Sequence, residues 1–376
     1  MRVLMQSRKT LFSVRGGDTV QILKTKEYLE SFGIDVDISL DLKPSLEEYD
    51  LVHLFNVTRP QEIWTQAENA KKQGVPYVIS TIYVDYSEYE RNARAGFAGF
   101  ITRKLPKRVT EIFKILGRAV LNGEIHGGLL PLWRGMSRLV NEVCNDAAAI
   151  LPNSFSEFKR LKRDFNLQVD DKRVVVVPNG YDAAIFNDSF EPKQKVTDMK
   201  LFRRAEDSVL CVARIEGRKN QLKLAQAFRE LPYQLLLIGT PAPNHMNYYY
   251  SILKSLPENV TVVGAVPHEQ LSVIYRLARV HVLPSWMETT GLSTLEAAAM
   301  GCNVVVTRKG DTEEYFGDYA YYCEPDDIDS IREAIRNAYT TPFNPLFKKY
   351  ILENFTWEKA AQTTLAAYEN VMGRSK

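Results

Sequence analysis

This sequence of 376 residues predicts an α/β protein built as two doubly wound halves, each with its own parallel sheet. Three observations carry the prediction. Short β-rich runs alternate with helical patterns along the chain, as in parallel sheets wrapped by helices. The length exceeds the roughly 250–300 residues at which single cores stop growing. The alternation breaks once, at "PNGYD" (Pro178–Asp182), and then begins again. The expected domains are therefore residues 1–180 and 181–356, followed by a terminal helical stretch, 357–376.

In the first half, "RVLMQS" reads as a strand and "FSVRGGDT" as a turn. "TVQILKTKEYLESFG" reads as an amphipathic helix stopped at Gly33. "IDVDIS", "YDLVHLF" and "PYVIST" are further strands, and "AAAILPN" follows the basic stretch. "SEFKRLKRDF" is a helix capped by Ser154 or Ser156, and "RVVVVPNG" a strand. A charged stretch, Asp188–Asp207, reads as weakly ordered. The second series has strands "SVLCVAR", "YQLLLIG", "VTVVGAV", "VHVLPS" and "CNVVVT", with helices "NQLKLAQAFREL" and "HEQLSVIYRLA". "FTWEKAAQTTLAAYENVM" is a long last helix with Thr356 as its expected cap.

With 45% hydrophobic and 25% charged residues and a net charge of +2, the composition is that of a soluble globular protein. It makes no demand for nucleic acid. The charge is unevenly spread: residues 91–138 hold ten Lys/Arg and two Asp/Glu, a local +8, which leaves −6 for the rest. Four separated cysteines with no C-x-x-C point to a reduced, cytoplasmic setting. No apolar run approaches the ~18–20 residues of a membrane span. Any membrane contact is expected to be peripheral.

Chemistry is sought at the carboxyl ends of the strands, where doubly wound sheets hold their ligands. "PSWMETTGLSTLEAAAMG" places Glu288 just before a helix and Glu296 about a turn inside it. Eight helical steps rise ~12 Å, too far for a carboxylate pair acting on one glycosidic bond, which needs ~5–9.5 Å. Thr289, Thr290, Gly291 and Leu292 lead into the helix start, where free N–H groups and the dipole favour an anion. Two carboxylates for hydroxyls with a phosphate site between them describe a nucleotide-sugar diphosphate. A solvated charge and a surface helix residue would give the same spacing. In "VARIEGRKNQ", Arg214 follows a strand and Lys219 precedes a helix. The pair suits a diphosphate leaving group; exposed loop cations are the plain alternative, and Arg218 competes for the role of Lys219. In "RGGDT", Gly16 and Gly17 permit close backbone approach at a helix start. His53 alternates with apolar residues and reads as a half-buried strand histidine. His126 and His268 read as loop or helix-start residues. The five histidines form no H-x-x-x-H cluster. "DVD" (Asp35–Asp37) reads as outward-facing strand carboxylates. No required metal and no other cofactor is expected.

These motifs, taken in order with "VVPNGYDAAIF" and "TEEYFG", resemble the retaining nucleotide-sugar glycosyltransferases of family 4, which have the GT-B fold. The likeness is close through the C-terminal half and looser before it. It implies two Rossmann-like domains facing across a cleft, with the last helix, Trp357–Met372, returning to the first. The first domain would be the acceptor side and the second would bind the donor, a UDP- or GDP-sugar. Arg214 and Lys219 would hold the diphosphate, Glu288 the sugar hydroxyls and Glu296 the ribose. Backbone N–H groups at Thr290–Leu292 would reach phosphate or sugar. Gly16 and Gly17 would approach the phosphate, and Val266 would lie near the base. Retaining members are thought to let the leaving phosphate assist the incoming hydroxyl.

Two departures stand out. Thr289-Thr290-Gly291 replaces the common Gly-Phe-Gly, which opens the question of sugar preference. The usual first-domain His is absent; "STIYVDYSE" offers Tyr83 and Asp85 near that place. The basic, partly apolar residues 91–138 suit an anionic membrane surface, or solvated charges over an apolar face. The expected protein is thus a retaining hexosyltransferase acting on a hydroxyl acceptor, such as a lipid-linked saccharide in surface polysaccharide synthesis. It would lie in the cytoplasm or at the inner membrane face. The alternatives are a silent nucleotide-sugar-binding partner protein, or a phosphorylase or epimerase of the same architecture.

Overall fold

The computed structural model describes residues 1–92, 134–192 and 199–374. Most of the basic stretch 91–138, with His126, lies outside them. The described chain forms two compact units. The first holds residues 1–84, 134–179 and 357–374; the second holds residues 85–92 and 180–356.

In the first unit, β1 (Arg2–Gln6), β2 (Asp35–Ser39), β3 (Leu51–Phe55), β4 (Tyr77–Ser80) and β5 (Ala149–Ile150) form one parallel sheet in the order β2-β1-β3-β4-β5. Strands covered on both faces must be apolar on both, and β3 is buried at every position. One face packs Leu4, Val52, Leu54 and Ile79 with Val140, Val143 and Leu161. On the other side, helix Gly17–Ser31 packs against the last helix, Trp357–Arg374. Helix Gly17–Ser31 departs from simple amphipathicity. Its inward stripe is Asp18, Thr19, Gln21, Ile22, Thr25 and Leu29, while Val20 and Leu23 are exposed. Polar burial is tolerated because partners are present: Gln21 donates to Asn153 Oδ1 at 2.8 Å.

The second unit carries β6 (Val209–Val212), β7 (Leu235–Ile238), β8 (Val260–Val263), β9 (Val280–Leu283), β10 (Asn303–Thr307) and β11 (Tyr321–Cys323). Their order is β11-β10-β9-β6-β7-β8, again all parallel. Alternate residues feed two cores: Leu210, Leu236, Val304 and Val306 face one, and Cys211, Leu235, Leu237 and Val305 the other.

Several expectations are corrected. "RVVVVPNG" does not extend the sheet as a strand. It meets β5 at one bridge, Ile150 with Val174, plus a bond from Val177 N–H to the Pro152 carbonyl at 2.8 Å. Pro178 can donate nothing to a ladder, and the valine run lies beside a two-residue edge strand. The stretch 188–207 contains helix Met199–Ala205, whose Leu201, Phe202 and Ala205 join the core. Strand β11 was not anticipated, being three residues long with both tyrosines only half-buried. Residues 85–92 belong to the second unit, not to the first. Ser154, not Ser156, caps helix Phe155–Phe165, accepting from Glu157 N–H at 2.8 Å.

His53 is fully buried rather than half-buried, as a strand covered on both faces requires. Its Nδ1 lies 2.6 Å from Tyr368 Oη and its Nε2 2.9 Å from Ser80 Oγ. His281 on β9 is equally buried, and its Nδ1 has no partner. Burial holds both imidazoles down to about 3, against an ordinary 6.5, with Lys219 adding to the effect at His281. The unfolded chain accepts protons that these folded sites refuse. Stability is therefore whole above pH 6.5 and falls as the pH drops toward 3. At pH 5 each histidine is expected to cost its unit about 2 kcal/mol, read from denaturant midpoints at pH 5 and pH 7.

Candidate functional site

In the second sheet the order reverses beside β6, whose neighbours are β7 and β9. The loops leaving β6 and β9 are thus forced apart above the sheet, and a crevice opens there. Two contacts fix these loops to each other. Asn220, held at a positive φ of 64°, donates through Nδ2 to the carbonyls of Pro284 (3.2 Å) and Pro325 (2.6 Å). Trp286 N–H donates to the Arg218 carbonyl at 2.9 Å. The result sets Lys219 against Glu288, and their side chains form an ion pair, both nearly buried. Burial pushes the Lys219 ammonium down, against the pull of Glu288.

Glu288 is also fixed from behind. Its N–H donates to the Lys309 carbonyl (3.1 Å), and its own carbonyl accepts from Asp311 N–H (2.9 Å). Gly310 makes this approach feasible: its φ is 106°, and a Cβ there would lie 1.9 Å from the Glu288 carbonyl oxygen.

The remaining cations of the loop surround a buried carboxylate. Glu216 lies 2.8 Å from Arg218 Nε and 3.7 Å from Arg214 Nη2. Burial alone would raise the Glu216 carboxyl, but Arg218, Arg214 and Lys219 outweigh it and hold it low. Arg214 is the most exposed of the three cations, at 39% of its side chain. Arg218 meets Glu216 through its Nε edge.

Past Glu288 the chain enters helix Leu292–Ala299 through Gly291, at a φ of 71°. The first N–H groups of a helix have no partner within it, so this start can receive an anion. Thr290 is buried and its hydroxyl donates to Tyr315 Oη at 3.2 Å; of the two threonines only Thr289 is partly accessible. The position open to shaping a ligand is therefore Thr289. Glu296 lies on the same helix, with one oxygen 2.9 Å from His268 Nε2 and the other accepting from Tyr275 Oη at 3.3 Å. Val266 follows β8 and packs partly buried against the core.

The first unit's glycine turn sits at that sheet's own reversal, between β1 and β3. Gly16 precedes helix Gly17–Ser31 in extended backbone, and a Cβ on Gly17 would meet nothing within 4 Å. Asp18 braces the turn. Arg8 reaches it at 2.7 and 3.1 Å and Asn56 at 3.0 Å. Burial would raise the Asp18 carboxyl, but these partners hold it below the usual range.

Two residues proposed for the sugar side are occupied otherwise. Tyr83 belongs to the first unit's core, and its hydroxyl donates to Asp164 at 2.8 Å. Asp85 caps the next helix, Ser87–Asn92, by accepting from Ser87 N–H (2.9 Å) and Oγ (3.0 Å). The carboxylates of "DVD" bind Arg2, at 3.3 Å for Asp35 and 3.0 Å for Asp37. Among the described residues no group of three His, Cys, Asp or Glu could hold a metal ion. Glu216 and Tyr275 were not singled out in the sequence, and His268, read as a loop or helix-start residue, does open helix His268–Leu277 but was given no site role. The only available signal was the closeness of Glu216 to two arginines.

Two parallel sheets, each with a crevice at its reversal, define the GT-B fold, and solved GT-B structures match over the whole chain. A sucrose-phosphate synthase from Thermosynechococcus elongatus aligns at TM-score 0.72 and 17% identity over 100% of both chains. Anabaena HepE in complex with UDP-glucose aligns at 0.66 and 14% identity, over 98% of this chain and 100% of that one. The family model described as Glycosyl transferases group 1 matches residues 194–352. The O-antigen chain mannosyltransferase B of Escherichia coli is 27% identical over 253 residues, 63% of this chain and 64% of that protein. The MMP alpha-(1->4)-mannosyltransferase of Mycolicibacterium hassiacum is 21% identical over 95% of this chain and 92% of its own. The matched family model thus covers the second unit, and the whole chain has the GT-B fold.

Replacing Gly310 by Ala is expected to destabilise the second unit by about 1–3 kcal/mol, because the backbone there is left-handed and the Cβ meets a carbonyl. The drop should appear in the chemical denaturation midpoint.

Proposed function

We propose that this protein transfers a sugar from a nucleoside diphosphate to a hydroxyl acceptor with retention of configuration. The observation that carries the reading is the Lys219–Glu288 pair at the reversal of the second sheet, eight residues before Glu296 across a helix start. Glu296 would receive the ribose hydroxyls. The start of helix Leu292–Ala299, with Arg214, Arg218 and Lys219, would receive the diphosphate. Glu288 would hold hydroxyls of the sugar. As the bond from the anomeric carbon to the diphosphate breaks, these cations would stabilise the charge left on phosphate. The acceptor oxygen would bond to that carbon and its proton would pass to the leaving phosphate, so no separate strong base is required. The neutralising charges are all side chains, and the reading calls on no metal.

Mannose is placed first among donor sugars, because two relatives are named mannosyltransferases. A UDP donor is kept beside GDP, because a fold neighbour was solved with UDP-glucose. Surface polysaccharide synthesis is favoured by the O-antigen relative. The acceptor we propose is a lipid-linked saccharide met at an anionic membrane face by residues 91–138. No helix among the described residues is long and apolar enough to cross a membrane.

Donor hydrolysis without acceptor, measured across UDP-, GDP- and ADP-sugars, tests the reading. One base and sugar should stand out. Lys219→Ala and Glu288→Ala should each lower turnover by about 100-fold or more, as loss of a charge-stabilising group does; unchanged turnover in both would overturn the site. For the membrane, flotation with vesicles rich in phosphatidylglycerol at low salt should carry the protein upward. Residence in the bottom fraction at every salt concentration would refute that part.

A further inference from the structure

After β4 the chain passes Tyr83 and then, from Asp85, packs with the second unit. This short piece, residues 85–92, meets that unit's phosphate-side loops at three points. The Arg218 guanidinium lies over the Tyr86 ring, 5.6 Å from its centroid. Lys309 Nζ lies 2.9 Å from Glu88 Oε1, one residue before the glycine that backs Glu288. Tyr89 lies so close to Gly217 that a Cβ there would sit 2.4 Å from its hydroxyl. Arg218 is thereby held on two sides. Glu216 takes its Nε edge and Tyr86 its face. A guanidinium is a planar fork, the shape that matches a phosphate. The Tyr86 phenol, pushed up by burial, is half-buried beside Arg218.

We propose that residues 85–92 are a strap that completes the sugar-phosphate end of the donor site, with Tyr86 the positioning residue that aims Arg218 and walls the space beside Glu288. The proposal rests on the donor reading above. It assigns to Tyr86 the sugar-side place that Tyr83 and Asp85 do not fill. Its logic is steric as much as electrostatic. A ring stacked on a guanidinium restricts the rotamers of a long side chain, so less order has to be gained when phosphate arrives. A sugar beside Glu288 would then meet a fixed wall.

The test uses the full chain and calorimetric titration with UMP, GMP, UDP-glucose and GDP-mannose, together with donor hydrolysis. Tyr86→Ala should weaken the preferred sugar nucleotide by about tenfold and narrow the hydrolytic preference between sugars on one base, while the matching monophosphate binds as before. Tyr86→Phe keeps the ring over Arg218 and should restore both. Glu88→Gln, which cuts the tie to Lys309, should move the same quantities in the same direction by a smaller factor. Unchanged monophosphate affinity shows that each variant is folded. Sugar-nucleotide affinity and preference unchanged in Tyr86→Ala would overturn the strap while leaving the donor reading intact. So would a Tyr86→Phe protein as weak as Tyr86→Ala, since the ring would then not be the aiming element. A wild-type chain that binds none of the four ligands would overturn the donor reading itself, and the strap with it.

Discussion

The second unit is organised around one ion pair, Lys219 with Glu288. Both charges are nearly out of water, where an ion unpaired is far more costly than an ion paired. Each therefore holds the other in place, and the loops that carry them cannot drift apart without exposing a bare charge. The surrounding backbone serves that constraint. Asn220 ties the loop after β6 to the loop after β9, and Gly310 lets the loop after β10 press against Glu288. A rigid pair of this kind is suited to electrostatic work, because little reorganisation remains when a ligand's charge appears.

The first unit repeats the device with different residues. Its glycine turn lies at the reversal between β1 and β3, and it too is braced by a buried ion pair, Arg8 with Asp18, with Asn56 as a third member. In both units the sheet order opens the crevice and a paired charge stiffens its rim. The charges differ in what they leave over. Asp18 is consumed by its partners. In the second unit the cations outnumber the carboxylates they face, three in the loop after β6 against Glu216 and Glu288, which leaves positive potential for an anion.

Much of this was legible in the sequence, because buried parallel strands are apolar on both faces and leave unbroken runs such as "YQLLLIG" and "CNVVVT". The motif "VARIEGRKNQ" and the Glu288 to Glu296 spacing picked out loops that the structure brings together at the reversal of the second sheet. What spacing does not convey is direction. Nothing in the sequence says that Arg218 turns to Glu216 and Tyr86, that Thr290 points inward to Tyr315, or that His268 touches Glu296. Those outcomes depend on contacts between residues far apart in sequence. The strand misread at "RVVVVPNG" has a related cause. Valine content signals an extended chain, but only neighbours decide whether a ladder forms. Tyr83 and Asp85 were read near the sugar side, and the structure gives them other partners, Asp164 and Ser87. The change of unit, between Val84 and Asp85, is a tertiary fact.

All four cysteines are buried and free. Burial pushes the thiols of Cys144, Cys211 and Cys323 up to about 12, and that of Cys302 higher still. A thiol that is neither ionised nor reachable is inert while its surroundings stay closed. Cys144 is in the first unit and the other three are in the second. The chain thus carries its own breathing gauge. Alkylation of Cys144 records the opening of one half, alkylation of the other three records the opening of its partner, and the two clocks are read from one sample by mass.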